Sequence, residues 1–420
     1  MKNILKSAYA LLFIFVLGGI VSNFTGLNPF VATGAVATLA YLGKPAMNNG
    51  YLYDSIDLSA ISRYAHQFQK KLITTLMTGL DIASDIMVMP NVKTSMKLPK
   101  LSVGQGWRPF SSTTEFKTGD LKYSDRELTV DVGKRELLID PEKFRQTYLS
   151  LTLTPGSGAN KFDVPFVQYI WDEVIKKVQN EINEQTSYFG FDKTDAAQWL
   201  IGTAYTAGNK VFQTVNGVVE YFEAQGATTG DDPATDDGTN WLNVTARAVV
   251  PGLESVILDA ITASEITPVS LGAITTPAEA LAAFKELFRS MPVAFKNSMI
   301  IIHASHTDCE FLLDGMQDLT KYTDPDVSNM IQMGLIPIPA TNKKAWAKPA
   351  SWLGSSRRLI AEPMNDMLKK GENLVMGTDL LSDFNEITTN KNLWTLEAGI
   401  KGVLGFQISD TEAIRVGDQS

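Results

Sequence analysis

DVPFVQYIWDEVIKKVQNEINEQTSYF, residues 163–189, is the stretch on which the fold turns. Asp163 is a helix-capping residue type and Pro165 suits a first helical turn. Apolar side chains recur at Val167, Trp171, Val174, Val178, Ile182 and Phe189, a helical spacing throughout. About 25 residues of helix make a rod of roughly 37 Å, long enough to cross a small domain.

Immediately upstream the pattern is extended. Val92 to Leu101 and Leu121 to Ile139 read as strands, with Leu128, Val130 and Val132 alternating against Thr129 and Asp131. Gly104, Gly106, Pro109 and the Ser111 to Thr114 run supply loop material between them, and Gly119-Asp120 supplies a turn. Such a hairpin holds too little apolar surface to make a core, so it must lie on something else. Its charges of both signs make Lys117, Lys122, Arg126, Glu127, Lys134, Arg135 and Glu136 the candidates for contact with a neighbouring subunit.

Further out, Asp57 to Val88 reads as one amphipathic helix closed by Pro90, with Ile61, Tyr64, Phe68, Leu72, Leu76 and Leu80 on one stripe and Arg63, Gln67, Lys70 and Lys71 opposite. Residues 1–56 form an apolar N-terminal arm. Lys2 and Lys6 precede the uncharged run Ala8 to Val21, and a second uncharged run spans Gly26 to Gly43. A buried arm and a secretory signal or membrane anchor both fit that pattern, so membrane association through residues 1–42 stays open. Downstream, Trp199 to Ala224 reads as at least partly helical and Thr228 to Asn240 as a surface loop. Thr276-Pro277-Ala278-Glu279 has the form of a capping box with proline at the first helical position. A buried strand (Ser298 to Ile302), a helix (Thr307 to Leu319) and a short strand (Leu335 to Ile338) follow, the order of a layered α/β domain. From Leu359 the chain reads as strands and turns.

Composition bounds the function. The chain has 420 residues, 44% hydrophobic and 20% charged, enough for two or three domains with a sizeable core. A net charge of -9 argues against gripping nucleic acid through clustered Lys and Arg, though not against enclosing it. Cys309 is the only cysteine, so an intrachain disulfide and an intrachain cysteine-based zinc site are both excluded.

Candidate chemistry is thin. His303, His306, Asp308, Cys309 and Glu310 make the densest set of potential ligands, but they fall on a strand-to-helix turn from which they diverge, so turn and capping roles are expected. Asp231, Asp232, Asp236 and Asp237 share a loop without the register of an EF-hand. Ser305 lies outside any G-x-S-x-G elbow, and no phosphate loop or dinucleotide fingerprint is present. The expectation is a non-enzyme without metal or cofactor.

In this order the elements resemble the major capsid proteins of tailed double-stranded DNA bacteriophages, the HK97-like shell fold. The resemblance implies an α+β capsid fold with an N-terminal arm (1–56), an amphipathic helix (57–91), an extended β-hairpin loop (92–155), a long spine helix with a peripheral domain (156–247), an axial α/β domain (248–362) and a β-rich return to the peripheral domain (363–420). Trp394-Thr-Leu-Glu-Ala-Gly399 and Gly405-Phe-Gln-Ile408 look like that return. It further implies self-assembly into hexamers and pentamers of an icosahedral shell, which encloses DNA without sequence-specific binding and meets portal, scaffolding and decoration proteins. The virion would be its location, after assembly in the cytoplasm of a bacterial host. A nanocompartment shell of the same fold, and a secreted or membrane-anchored bacterial surface protein, are the alternatives.

Overall fold

The computed structural model describes residues 58–103, 121–140, 165–316, 334–354, 356, 358–379, 387–392 and 395–419. The chain divides into two units, residues 1–57 with 141–166 and residues 58–140 with 167–420, and almost all described residues belong to the second. The expected arm, the hairpin tip with Lys117 and the Asp163 cap lie outside the described residues.

The expected helix 57–91 is three elements: α1 (Leu58–Thr78), α2 (Asp81–Asp85) and β1 (Met87–Met89). Tyr64, Leu72, Leu76 and Leu80 are buried as the stripe requires. The break comes at Gly79, whose N–H donates to the Thr75 carbonyl at 3.0 Å; Gln179 reaches across, and its Nε2 donates to the same carbonyl (2.8 Å) and to that of Leu76 (3.2 Å), an acceptor that the helix end leaves open.

The extended stretch also divides. β2 (Ser95–Val103) pairs antiparallel with β3 (Leu121–Thr129) along their full length, from Ser95 opposite Thr129 to Val103 opposite Leu121. After Val130 the chain changes sheets, and β4 (Asp131–Ile139) pairs with a strand near the end of the chain. The long helix α3 (Pro165–Glu181) buries Trp171, Ile175 and Val178. It then widens into a π-helical turn, Ile182–Thr186, closed by the Ser187 N–H on the Ile182 carbonyl at 2.8 Å.

Residues 191–248 form an inserted module rather than the helix expected over 199–224. Its strands are β5 (Ala197–Gln198), β6 (Ala204–Tyr205), β7 (Lys210–Val215), β8 (Val218–Ala224), β9 (Thr228–Thr229) and β10 (Trp241–Asn243). The sheet order is β10-β8-β7-β5, with β6 and β9 paired separately. The reason is Asn216-Gly217: both residues adopt positive φ (51° and 85°), the geometry of a two-residue hairpin turn. Alternate residues then face two small cores, Val211, Phe222 and Trp241 on one side and Phe212 and Tyr221 with Phe191 and Val244 on the other.

Next come α4 (Leu253–Thr262), β11 (Val269–Ser270), α5 (Pro277–Ser290), β12 (Ile300–Ala304), α6 (His306–Met316), β13 (Ile336–Pro337), β14 (Ala345–Pro349) and β15 (Leu359–Pro363). The remaining strands are β16 (Leu374–Thr378), β17 (Ile387–Lys391), β18 (Leu396–Ile408) and β19 (Arg415–Asp418). The capping box holds: Glu279 N donates to Thr276 Oγ1 at 3.4 Å and Thr276 N to Glu279 Oε2 at 2.9 Å. α5 and α6 cover one face of a six-stranded sheet, β11-β19-β15-β12-β14-β13, through Phe284, Leu287, Leu312, Ile300 and Ile302. All five side chains are fully buried, and each such burial stabilises by about 1.5–3 kcal/mol.

A second sheet runs β1-β16-β18-β17, with β4 added along β18. The expected return over 363–420 is therefore split. β16, β17 and β18 belong to this sheet, but β19 inserts between β11 and β15 of the six-stranded one. Val416 is fully buried there, and that apolar position makes the strand a core member rather than a tail. The described architecture is α+β.

Candidate assembly interface

The β2–β3 ribbon has two unlike faces, and register sorts them. Met96, Leu98, Lys100 and Ser102 share a face with Leu128, Arg126, Ser124 and Lys122; Lys97, Pro99, Leu101 and Val103 share the other with Glu127, Asp125, Tyr123 and Leu121.

The first face is held by the body of the second unit. Leu98 and Leu128 are buried beside Val92 and Val375. Lys100 Nζ lies 2.6 Å from Asp410 Oδ1 and 3.1 Å from Glu412 Oε2. Arg126 pairs with Glu265 and donates to Gln407 Oε1 at 3.4 Å, while Gln407 Nε2 donates to the Glu127 carbonyl at 2.8 Å. Where the ribbon leaves the body, Val130 packs over two glycines directly opposed across β16 and β18, Gly377 and Gly405. A Cβ on Gly405 would sit 2.0 Å from the Thr129 carbonyl oxygen, so only glycine admits the crossing backbone.

The second face looks away. Near the body it carries the Lys97–Asp125 pair at 2.7 Å. Toward the tip it is apolar: Leu101 faces Tyr123 and Val103 faces Leu121, all between 63% and 67% exposed. Among the described residues these four large apolar side chains share one exposed face, and none of the described apolar clusters includes them.

The charged candidates are placed differently from one another. Arg126 is spent on the body. Arg135 donates to both carboxylate oxygens of Glu181 at 3.1 Å, tying β4 to α3. Lys134 and Glu136 pair with each other at 2.7 Å on the exposed side of β4. Lys122 and the Glu127 side chain are exposed. What the reading of the charges overlooked was the quartet; the two-residue spacing of Leu101 with Val103 and of Leu121 with Tyr123 was its signal.

The ligand-like clusters resolve into structural roles. His303 is fully buried with Nε2 2.8 Å from Glu362 Oε1, and Glu362 Oε2 accepts the N–H groups of Asn373 (2.7 Å) and Leu374 (2.8 Å). Ser305 Oγ accepts the Asp308 N–H at 3.1 Å at the start of α6. Burial pushes the Cys309 thiol up to about 12, and the neighbouring carboxylates of Asp308 and Glu310 add to the effect. Asp236 accepts the backbone N–H groups of Trp241 (2.9 Å), Gly238 (2.9 Å) and Asn240 (3.1 Å), which hold its carboxyl below the usual range, the Trp241 bond contributing most. Among the described residues no three His, Cys, Asp or Glu side chains converge as a metal ion would require.

No family model and no curated protein matches the chain by sequence. In structure it is similar to the procapsid protein of satellite phage P4 with its size determination protein, at 12% identity over 84% of this chain and 90% of that one, TM-score 0.42. It is similar to the capsid of Myoviridae phage XM1 at 13% identity over 81% and 90%, TM-score 0.40. A virus-like particle from Pyrococcus furiosus is similar at 9% identity over 83% and 98%, TM-score 0.37.

Proposed function

We propose that this chain is the major capsid protein of a tailed bacteriophage, the repeating subunit of an icosahedral shell that encloses double-stranded DNA. The observation that carries the reading is the outward face of the ribbon: a projecting two-stranded element whose inner face is anchored and whose outer end presents Leu101, Val103, Leu121 and Tyr123 uncovered. A limb built this way stabilises an assembly when its apolar end loses water against a neighbouring copy. In a shell each copy lends its ribbon to one neighbour and receives another, a head-to-tail contact that closes into rings, here hexamers and pentamers. The role is structural and uses no catalytic group or cofactor. The net charge of -9 suits a wall that holds DNA without gripping it. Portal, scaffolding and decoration proteins are the expected partners, and the virion, assembled in the bacterial cytoplasm, the expected location.

Negative-stain microscopy of the purified protein tests this directly, with closed particles as the expected result. Leu101→Lys combined with Tyr123→Lys should leave folded subunits, unchanged in circular dichroism, that form no particles. Normal particles from that variant would remove the ribbon from the mechanism.

A further inference from the structure

The second unit holds a cavity that the shell reading leaves without a role. It measures about 350 Å³, within the range of about 300–1,000 Å³ typical of small-molecule sites. Its walls are apolar: Leu76 from α1, Val178 from α3, Ile182 from the π-helical turn, Val249 just past the inserted module, and Ile400 and Leu404 from β18. Two glycines make the floor. Gly133 on β4 and Gly402 on β18 are register partners, so their missing side chains belong to one face of the sheet. A Cβ on Gly133 would lie 3.0 Å from Val249 Cγ1, which turns that face toward the cavity wall; a Cβ on Gly402 would meet no atom within 4 Å. The space exists because neither strand puts a side chain into it. The π-helical turn borders the same recess with Ile182 and Thr186, a local widening that recurs at functional sites.

The polar side of the cavity carries a positive surplus. Arg135 lines it with a side chain 41% exposed, and its Nη1 donates to both carboxylate oxygens of Glu181 at 3.1 Å. Lys177 lies 3.8 Å from the same carboxylate. Lys134 is neutralised by Glu136 at 2.7 Å, and Asn243 occupies Glu220 through Nδ2 at 2.8 Å. Two cations therefore share Glu181, and among the described residues Nε and Nη2 of Arg135 make no hydrogen bond. Apolar walls beside a spare guanidinium edge match one ligand chemistry: a compact apolar body that ends in a carboxylate, which a planar guanidinium binds through parallel N–H bonds. A neutral hydrocarbon leaves that edge unused, and a cationic ligand meets the surplus charge. We propose that this cavity binds a small amphiphilic carboxylate, its apolar chain over Gly133 and Gly402 and its head at Arg135. The site needs one chain only and stands apart from the shell reading.

Calorimetric titration of the full-length protein with decanoate, and with decanol as the neutral counterpart, tests it. Decanoate should bind saturably, one molecule per chain, and decanol more weakly by about tenfold or more, the effect of losing a charge-assisted pair. Arg135→Met should bring decanoate down to the level of decanol and leave decanol as it was. Gly402→Leu should fill the floor and abolish binding of both, with a melting temperature equal to or above that of the parent. Gly402→Ala, which adds one methyl to open space, should weaken both and reads the same floor where the larger side chain prevents folding. Absence of saturable decanoate binding to the parent overturns the site, as does decanoate binding that Gly402→Leu and Gly402→Ala leave unchanged. Equal affinity for decanol and decanoate overturns the assignment of the head to Arg135. Particle formation is read separately by microscopy, so failure of the shell and failure of this site are distinguishable.

Discussion

At the scale of single residues, Glu279 and Gly405 show what sequence reveals and what it conceals. Glu279 was legible, since a Thr-x-x-Glu box with proline inside is a local device that needs no tertiary partner. Its carboxylate is pulled down to about 2, first by the Thr275 backbone N–H at 2.9 Å and then by the Thr275 and Thr276 side chains. A folded-state value below the ordinary 4.5 means that the ionised group contributes stability above pH 4.5, and that this contribution is lost as pH falls toward 2. Glu279→Gln should therefore lower the melting temperature at pH 7, with the gap to the parent closing between pH 4.5 and 2; a gap independent of pH would contradict the assignment. Gly405 was not legible, because its reason is the Thr129 carbonyl of a strand remote in sequence. Gly405→Val should cost about 3 kcal/mol or more, read as a lowered denaturant midpoint, since backbone rather than a flexible side chain blocks the Cβ.

At the scale of elements, the ribbon is legible as extended chain, but the roles of its two faces are not. Charges drew the reading, yet Arg126 and Arg135 are consumed within the chain, and which face turns inward depends on partners such as Asp410 and Gln407 that no local pattern reveals. The chemistry of the outer face has a measurable signature. The proposed contact through Leu101, Val103, Leu121 and Tyr123 would gain from water exclusion and be little screened by salt. Raising sodium chloride from about 0.1 to 1 M, where the Debye length falls from about 10 to 3 Å, should leave particle yield unchanged or increase it. A steep loss of particles with salt would return the contact to the charged residues. The inserted module teaches the same lesson from the other side. Asn216-Gly217 was a sufficient hairpin signal, overlooked because the apolar residues around it also fit a helical stripe.

At the scale of the whole second unit, the order of elements carried the fold class, while the partition of strands between sheets did not follow from order. The chain leaves the six-stranded sheet after β15, builds most of the other sheet with β16, β17 and β18, and comes back as β19. Glu362 reinforces the first crossing by holding the N–H groups that open β16 from its place on β15. Removing residues 415–418 should expose the facing edges of β11 and β15 and give an aggregating product with a lost near-ultraviolet signal; a well-folded truncation would show that β19 is dispensable.

The position of β19 also sets a clock. During synthesis at about 5–20 residues per second, β11 and β15 are complete while the strand that joins them is still unmade. The nascent chain therefore carries an open slot, and Val416 fills it only after the ribbon, the inserted module and every other described strand have left the ribosome. A chain interrupted before residue 415 therefore lacks the strand that joins β11 to β15 and cannot complete the six-stranded sheet.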